Sequence, residues 1–123
     1  MIVGLGIDVV ELDRVKTAYE KFRIRFVSRI LTQREAQLLP ESPVAYLASR
    51  FAAKEAGVKA LGTGFSQGIT LKHLEIARGK SGPVRLIFTG PARDRFEFLG
   101  GRRVHLSISH GRDTAVAVVI LER

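Results

Sequence analysis

Residues 42–62, SPVAYLASRFAAKEAGVKALG, decide how the rest of the chain is arranged. Ser42 is a natural helix cap and Pro43 a favoured first helical residue, strong helix formers follow, and Gly62 is a natural terminator, so the stretch predicts the longest helix of the chain. Val44, Leu47, Ala48, Phe51 and Val58 recur at helical spacing and read as its buried stripe, and Glu55 falls on that stripe four residues after Phe51. A carboxylate facing a core has to be paired, protonated or bound to a cation. Lys59, at i, i+4, offers the local alternative of a solvated ion pair. Arg50, Lys54 and Lys59 point in at least two directions from the same helix.

Upstream, residues 2–10 are rich in Ile and Val and predict a strand, with Val3, Leu5, Ile7 and Val9 on one face and Ile2, Gly4, Gly6, Asp8 and Val10 on the other. Two glycines beside Asp8 clear that face for a close approach to the backbone. Asp8 therefore has two readings, a cap for the next helix or a ligand. The spacing predicts a helix over 11–23 with Leu12, Val15, Tyr19 and Phe22 on one face, a short helical stretch IRFVSRI, and a helix over 33–39 opened by a Thr32–Glu35 capping box. Downstream, strands are expected at 72–78 and 84–89, a helix at 91–99, and strands at 103–109 and 114–121 around a turn at HGRD. The sum is α+β, a mainly antiparallel sheet packed on a long central helix, in one domain over 1–123.

Composition narrows the chemistry. The absence of Cys removes disulfides, thiolate metal sites and thiol nucleophiles, and fits a reducing, cytoplasmic setting. His73, His105 and His110 are scattered without a zinc spacing, whereas two carboxylates with free positions for water and phosphate suit Mg²⁺. No run is apolar for long enough to span a bilayer, and no membrane partner is expected. A net charge of +8 favours polyanionic partners. Nucleic acid is the rival partner, with Arg23, Arg25, Arg29, Arg102 and Arg103 in its favour; an aromatic content of 7% without Trp argues against a base-stacking platform, so no nucleic acid is expected. A noncatalytic binder of a phosphorylated cofactor or nucleotide is a second rival, with little use for both carboxylates.

Four segments occur in order: GIDVVELDRV (6–15), RFAAKEAGVKALGTGF (50–65), GITLKHLEI (68–76) and HLSISHGRDTAVAVVI (105–120). Together they resemble the holo-(acyl-carrier-protein) synthase family of 4′-phosphopantetheinyl transferases, over nearly the whole chain. The resemblance implies that Asp8 and Glu55 bind the Mg²⁺ that also contacts the coenzyme A pyrophosphate, and that Lys59 stabilises charge on the leaving group. It also implies coenzyme A contacts from Arg50 and His110 at the adenosine 3′-phosphate, from Gly62, Thr63 and Gly64 at the adenine end, and from Lys54 and Ser109 nearby. Arg14, Lys21 and Arg25 match a docking surface for the acidic carrier protein. Family members of this length form homotrimers with sites at subunit interfaces. Gly57, Thr114 and GKSGP (79–83) depart from the family's usual residues.

The implied reaction is attack of a carrier serine on the β-phosphate of coenzyme A, releasing adenosine 3′,5′-bisphosphate. The nucleophile belongs to the partner, so the lack of one in this chain is no objection. Glu55, or a metal-bound water oriented by Asp8 or Glu55, is the expected acceptor of the serine proton.

Overall fold

In a computed structural model that describes residues 1–79 and 82–123, the long helix is the centre of the molecule. In chain order the elements are β1 (Ile2–Glu11), α1 (Leu12–Phe22), α2 (Ile24–Ile30), α3 (Gln33–Gln37), α4 (Val44–Leu61), β2 (Leu74–Arg78), β3 (Val84–Phe88), α5 (Gly90–Phe98), β4 (Arg103–His110) and β5 (Thr114–Glu122). Strands β1, β5 and β4 form an antiparallel sheet in that order, and β2 pairs with β3 in a second antiparallel sheet. The expected α+β class and nearly every expected element are present. The GKSGP departure lies partly outside the described residues, at 80 and 81.

Helix α4 ends as its glycine requires. Gly62 takes φ 78°, and its N–H returns to the carbonyls of Lys59 and Val58. At the other end Pro43 itself is the cap and its carbonyl accepts the Leu47 N–H, so Ser42 makes no capping bond. The expected single buried stripe is wrong. Leu47, Ala48, Ala52, Ala53, Ala56, Val58, Ala60 and Leu61 are all buried, so sheet and helices enclose α4 on nearly every side. The least covered line is Phe51, Glu55 and Lys59, which puts Glu55 on an open edge. A helix apolar all round has no periodic stripe from which its open side can be read.

The glycines of β1 serve this helix. A Cβ on Gly4 would fall on the carbonyl oxygen of Ala60, and one on Gly6 on that of Ala56. The close approach expected on this face is therefore made by α4, which brings Asp8, two residues beyond Gly6, alongside the helix. Gly57 does the same on the other side, where a Cβ would stand 2.7 Å from Leu74 Cδ2 and 3.0 Å from Leu86 Cδ2. It admits the β2–β3 sheet, so this departure from the family's usual residue has a packing reason.

Ahead of α4, the capping box forms as expected: Glu35 N–H donates to Thr32 Oγ1 and Thr32 N–H to Glu35 Oε1. The helix it opens is shorter than expected, ending at Gln37. Glu35 is also 1% exposed and accepts from Lys54 Nζ at 2.6 Å and from the Ile76 N–H at 2.8 Å. Lys54 donates again to the Ile30 carbonyl at 2.6 Å. One buried ion pair thus ties α2, α3, α4 and β2 together. Burial pulls the Lys54 ammonium below the ordinary lysine range, and the Glu35 charge opposes that pull.

Candidate active site

Asp8 and Glu55 line one cleft of about 390 Å³ between β1, α1 and α4, together with Arg14, Phe26 and Phe51. Strand alternation points Asp8 at the helix, and the turn of α4 that bears Glu55 faces the same opening. Lys59, one turn further along α4, gives its ammonium to Asp8 Oδ1 at 2.8 Å and to the Ile7 carbonyl at 3.1 Å. The i, i+4 pair with Glu55 that the sequence offered is not the bond that forms. The hydrogen bond to Asp8 holds the Lys59 ammonium above its ordinary range. Among the described residues no cation bonds Glu55, and its carboxyl is raised first by burial and then by the Asp8 charge, against a smaller opposing pull from Lys59. Asp8 makes no helix-capping bond: the residue before α1 is Glu11, and it carries no side-chain cap.

The expected coenzyme A contacts fall in three places. Arg50 and His110 meet in a second cleft, of about 340 Å³, which also carries Ser42, Tyr46, Ser49 and Arg78 and shares no residue with the carboxylate cleft. There Arg50 stacks on Tyr46 with its guanidinium 4.1 Å from the ring centroid, and its buried Nε finds no hydrogen-bond acceptor among the described residues. Gly62, Thr63 and Gly64 lie at the C-terminal end of α4, where the N–H groups of Thr63 and Gly64 return to the Val58 carbonyl at 3.3 Å. Ser109 sits opposite Val116 on the outer face of the large sheet, one residue from His110 but facing away from its cleft. Lys54 is corrected outright. It is 0% exposed and committed to Glu35 and Ile30, so the coenzyme A contact implied by the resemblance is not made; its burial was not visible in the sequence because α4 is enclosed on nearly every side.

Arg14 lines the carboxylate cleft itself, while Arg25 lines a neighbouring apolar groove that shares Ala18, Phe26 and Phe51 with it. Lys21 is exposed above the Phe22 ring. The reversal between α1 and α2 is made at Arg23, at φ 47°. Sequence reasoning passed over Tyr46, Arg78 and the apolar walls at Phe26 and Phe51. An aromatic four residues before Arg50 was the one available signal for the stacked pair.

A profile of the 4′-phosphopantetheinyl transferase superfamily matches residues 4–119. The holo-[acyl-carrier-protein] synthase of Maridesulfovibrio salexigens is 55% identical over 100% of both chains. Among solved structures, the holo-[acyl-carrier-protein] synthase of Neisseria meningitidis superposes with a TM-score of 0.90 at 40% identity, covering 100% of each chain. That of Bacillus anthracis, in complex with CoA (3′,5′-ADP), gives 0.80 at 37% identity over 98% of this chain and 96% of its own. The cleft that pairs Asp8 with Glu55 thus occurs in a chain whose sequence and fold agree from end to end with these enzymes, and the chain belongs to the holo-[acyl-carrier-protein] synthase family of 4′-phosphopantetheinyl transferases.

Proposed function

We propose that the Asp8–Glu55 cleft is where this chain transfers the 4′-phosphopantetheine group of coenzyme A to a serine of an apo acyl carrier protein. The observation that carries the reading is the pair of carboxylates on one cleft, with the Lys59 ammonium bonded to Asp8 and Glu55 left unneutralised. Their fit to Mg²⁺ follows from the same charges. Two acidic groups facing one opening raise each other's demand for a cation, and among the described residues no cluster of three or more His, Asp or Glu gathers to favour a fuller protein cage. Mg²⁺ takes one or two carboxylates and leaves its remaining positions to water and phosphate oxygens. Bound between Asp8 and Glu55, it would withdraw charge from the pyrophosphate as the leaving group departs.

The remaining steps belong to the chain's own residues. The serine oxygen bonds to the β-phosphorus, the bond from that phosphorus to the bridging oxygen breaks, and adenosine 3′,5′-bisphosphate leaves with the electron pair. Lys59, protonated throughout the physiological range, places a positive charge beside that oxygen. Glu55, or a water oriented by Asp8 or Glu55, receives the proton released by the serine. Arg14 at the cleft and Arg25 at the neighbouring apolar groove between α1, α2 and Phe51 offer cations to an acidic carrier, with Lys21 exposed on α1 above the Phe22 ring as a third. Arg50 and His110 take the 3′-phosphate, and the Gly62–Gly64 backbone borders the adenine.

Within one chain the two clefts share no residue and are lined by different sides of α4. A homotrimer in which one subunit supplies Asp8 and Glu55 and its neighbour the Arg50 cleft resolves that separation. The outer face of the large sheet supports it, since Leu5, Ile7 and Val9 stand exposed in register with Ile120, Val118 and Val116. An apolar face of this kind is costly to leave in water.

The test uses Asp8→Ala and Glu55→Ala. Each is expected to abolish transfer from coenzyme A to an apo carrier, measured by mass spectrometry, while the circular dichroism spectrum stays native. Near wild-type rates in either variant would sink the metal assignment.

A further inference from the structure

The last carbonyls of α4 have no donor within the helix and must find one elsewhere. The Gly62 N–H answers Lys59 and Val58, and the N–H groups of Thr63 and Gly64 answer Val58 again. The Leu61 carbonyl is met from another element: Arg95, on α5, donates its Nε–H to it at 2.9 Å. The same guanidinium lies beside the first residue of the following loop, where a Cβ on Gly62 would stand 3.6 Å from Arg95 Nη2, and its Cζ sits 5.3 Å from the Phe98 ring centroid. Asp94 lines the same surface cleft as Arg95, yet among the described residues Arg95 pairs with no carboxylate. Its charge is therefore left to the end of α4.

The segment that follows depends on such an anchor. Gly62, Gly64, Gln67 and Gly68 take φ of 78°, 61°, 57° and 79°, and fixing a glycine-rich chain of this kind costs much conformational entropy. Its side-chain bonds, from Thr63 Oγ1 to the Gly64 carbonyl and from Ser66 Oγ to the Thr63 carbonyl, join it only to itself. The place is also electrostatically awkward, because the C-terminal end of a helix carries negative partial charge and disfavours a phosphorylated ligand. A full cation bonded to the last carbonyl of α4 reverses that sign.

We propose that Arg95 is a positioning residue: by capping α4 from α5 it fixes the Gly62–Gly64 backbone and turns a dipole-negative helix end into one that admits the anionic nucleotide of coenzyme A. The inference rests on the proposed function for the identity of that nucleotide, whereas the bond from Arg95 to Leu61 is independent of it. Arg95 lines neither the carboxylate cleft nor the Arg50 cleft, so its effect falls on nucleotide affinity and not on the chemical step.

Full-length wild type, Arg95→Gln and Arg95→Lys are compared in transfer assays and by calorimetry with adenosine 3′,5′-bisphosphate. Arg95→Gln removes the charge and keeps a polar side chain; it should raise KM for coenzyme A and Kd for the bisphosphate about fivefold, and leave kcat and KM for the carrier within about twofold. Arg95→Lys, which keeps a cation near the helix end, should recover most of that loss. The gap between wild type and Arg95→Gln should narrow as ionic strength rises from about 0.05 M to about 0.5 M, a response that a packing defect would not give. Urea midpoints equal to wild type in both variants exclude a folding effect. Unchanged KM and Kd in Arg95→Gln, an equal loss in Arg95→Lys, a fall in kcat as large as the rise in KM, or wild-type protein that does not bind the bisphosphate would overturn the inference. If wild type transfers nothing while the calorimetric difference persists, the proposed function falls and the role of Arg95 stands; if transfer proceeds equally well with Arg95→Gln at low coenzyme A, only the role of Arg95 falls.

Discussion

Lys59 has two carboxylates within reach, and the one it bonds is on another element. Its ammonium reaches across to Asp8 at 2.8 Å, which leaves Glu55 free to carry the remaining charge of the cleft. Lys59→Ala should lower kcat by about 10²-fold, the effect of removing one preorganised donor at a developing charge, with a much smaller change in KM for the carrier. Steady-state kinetics at saturating carrier reads this directly. Glu35 and Lys54 are the buried counterpart. Lys54→Met strands a buried carboxylate and should cost about 3–5 kcal/mol in urea unfolding, and Glu35→Gln added to it should recover part of the loss by removing the stranded charge. The Thr32–Glu35 cap was legible because a capping box is local. That Glu35 also holds Lys54 and the Ile76 N–H was not, because those partners lie 19 and 41 residues away and meet it only once α4 and β2 have packed.

At the scale of elements, β1 and α4 set the cleft by how closely they approach. Gly6 is the contact point, and a methyl group there would meet backbone, which cannot swing aside as a side chain can. Gly6→Ala should destabilise the protein by at least about 3 kcal/mol, the upper end of ordinary overpacking, and denaturant unfolding measures it. Alternation in β1 correctly placed Asp8 with the two glycines, since a period of two needs no tertiary information. The ends of α4 were also legible, at Pro43 and Gly62. Its open side was not. Alanines and other small residues surround the axis, so Glu55 read as core-facing when the Phe51–Glu55–Lys59 line is the least covered one. Pairing of β1 with β5, more than a hundred residues apart in sequence, left no local trace either.

For the molecule as a whole, the sheet's outer face carries the argument for assembly. Ile7 is 57% exposed at the middle of that face, opposite Val118. Ile7→Lys should shift the protein to a monomer by light scattering and lower transfer with it, while the monomer's circular dichroism stays native, because each site would need a second copy. A fully active monomeric wild type would refute the shared site. Family membership was legible from the four ordered segments; the separation of the two clefts across α4 needed the fold. The most direct measurement incubates the protein with coenzyme A, Mg²⁺ and an apo acyl carrier protein and weighs the carrier by mass spectrometry. The account predicts one added phosphopantetheine on the carrier serine, lost when Mg²⁺ is chelated and absent with Asp8→Ala or Glu55→Ala. An unmodified carrier with wild-type enzyme across several apo carriers, or full modification by either variant, would contradict it.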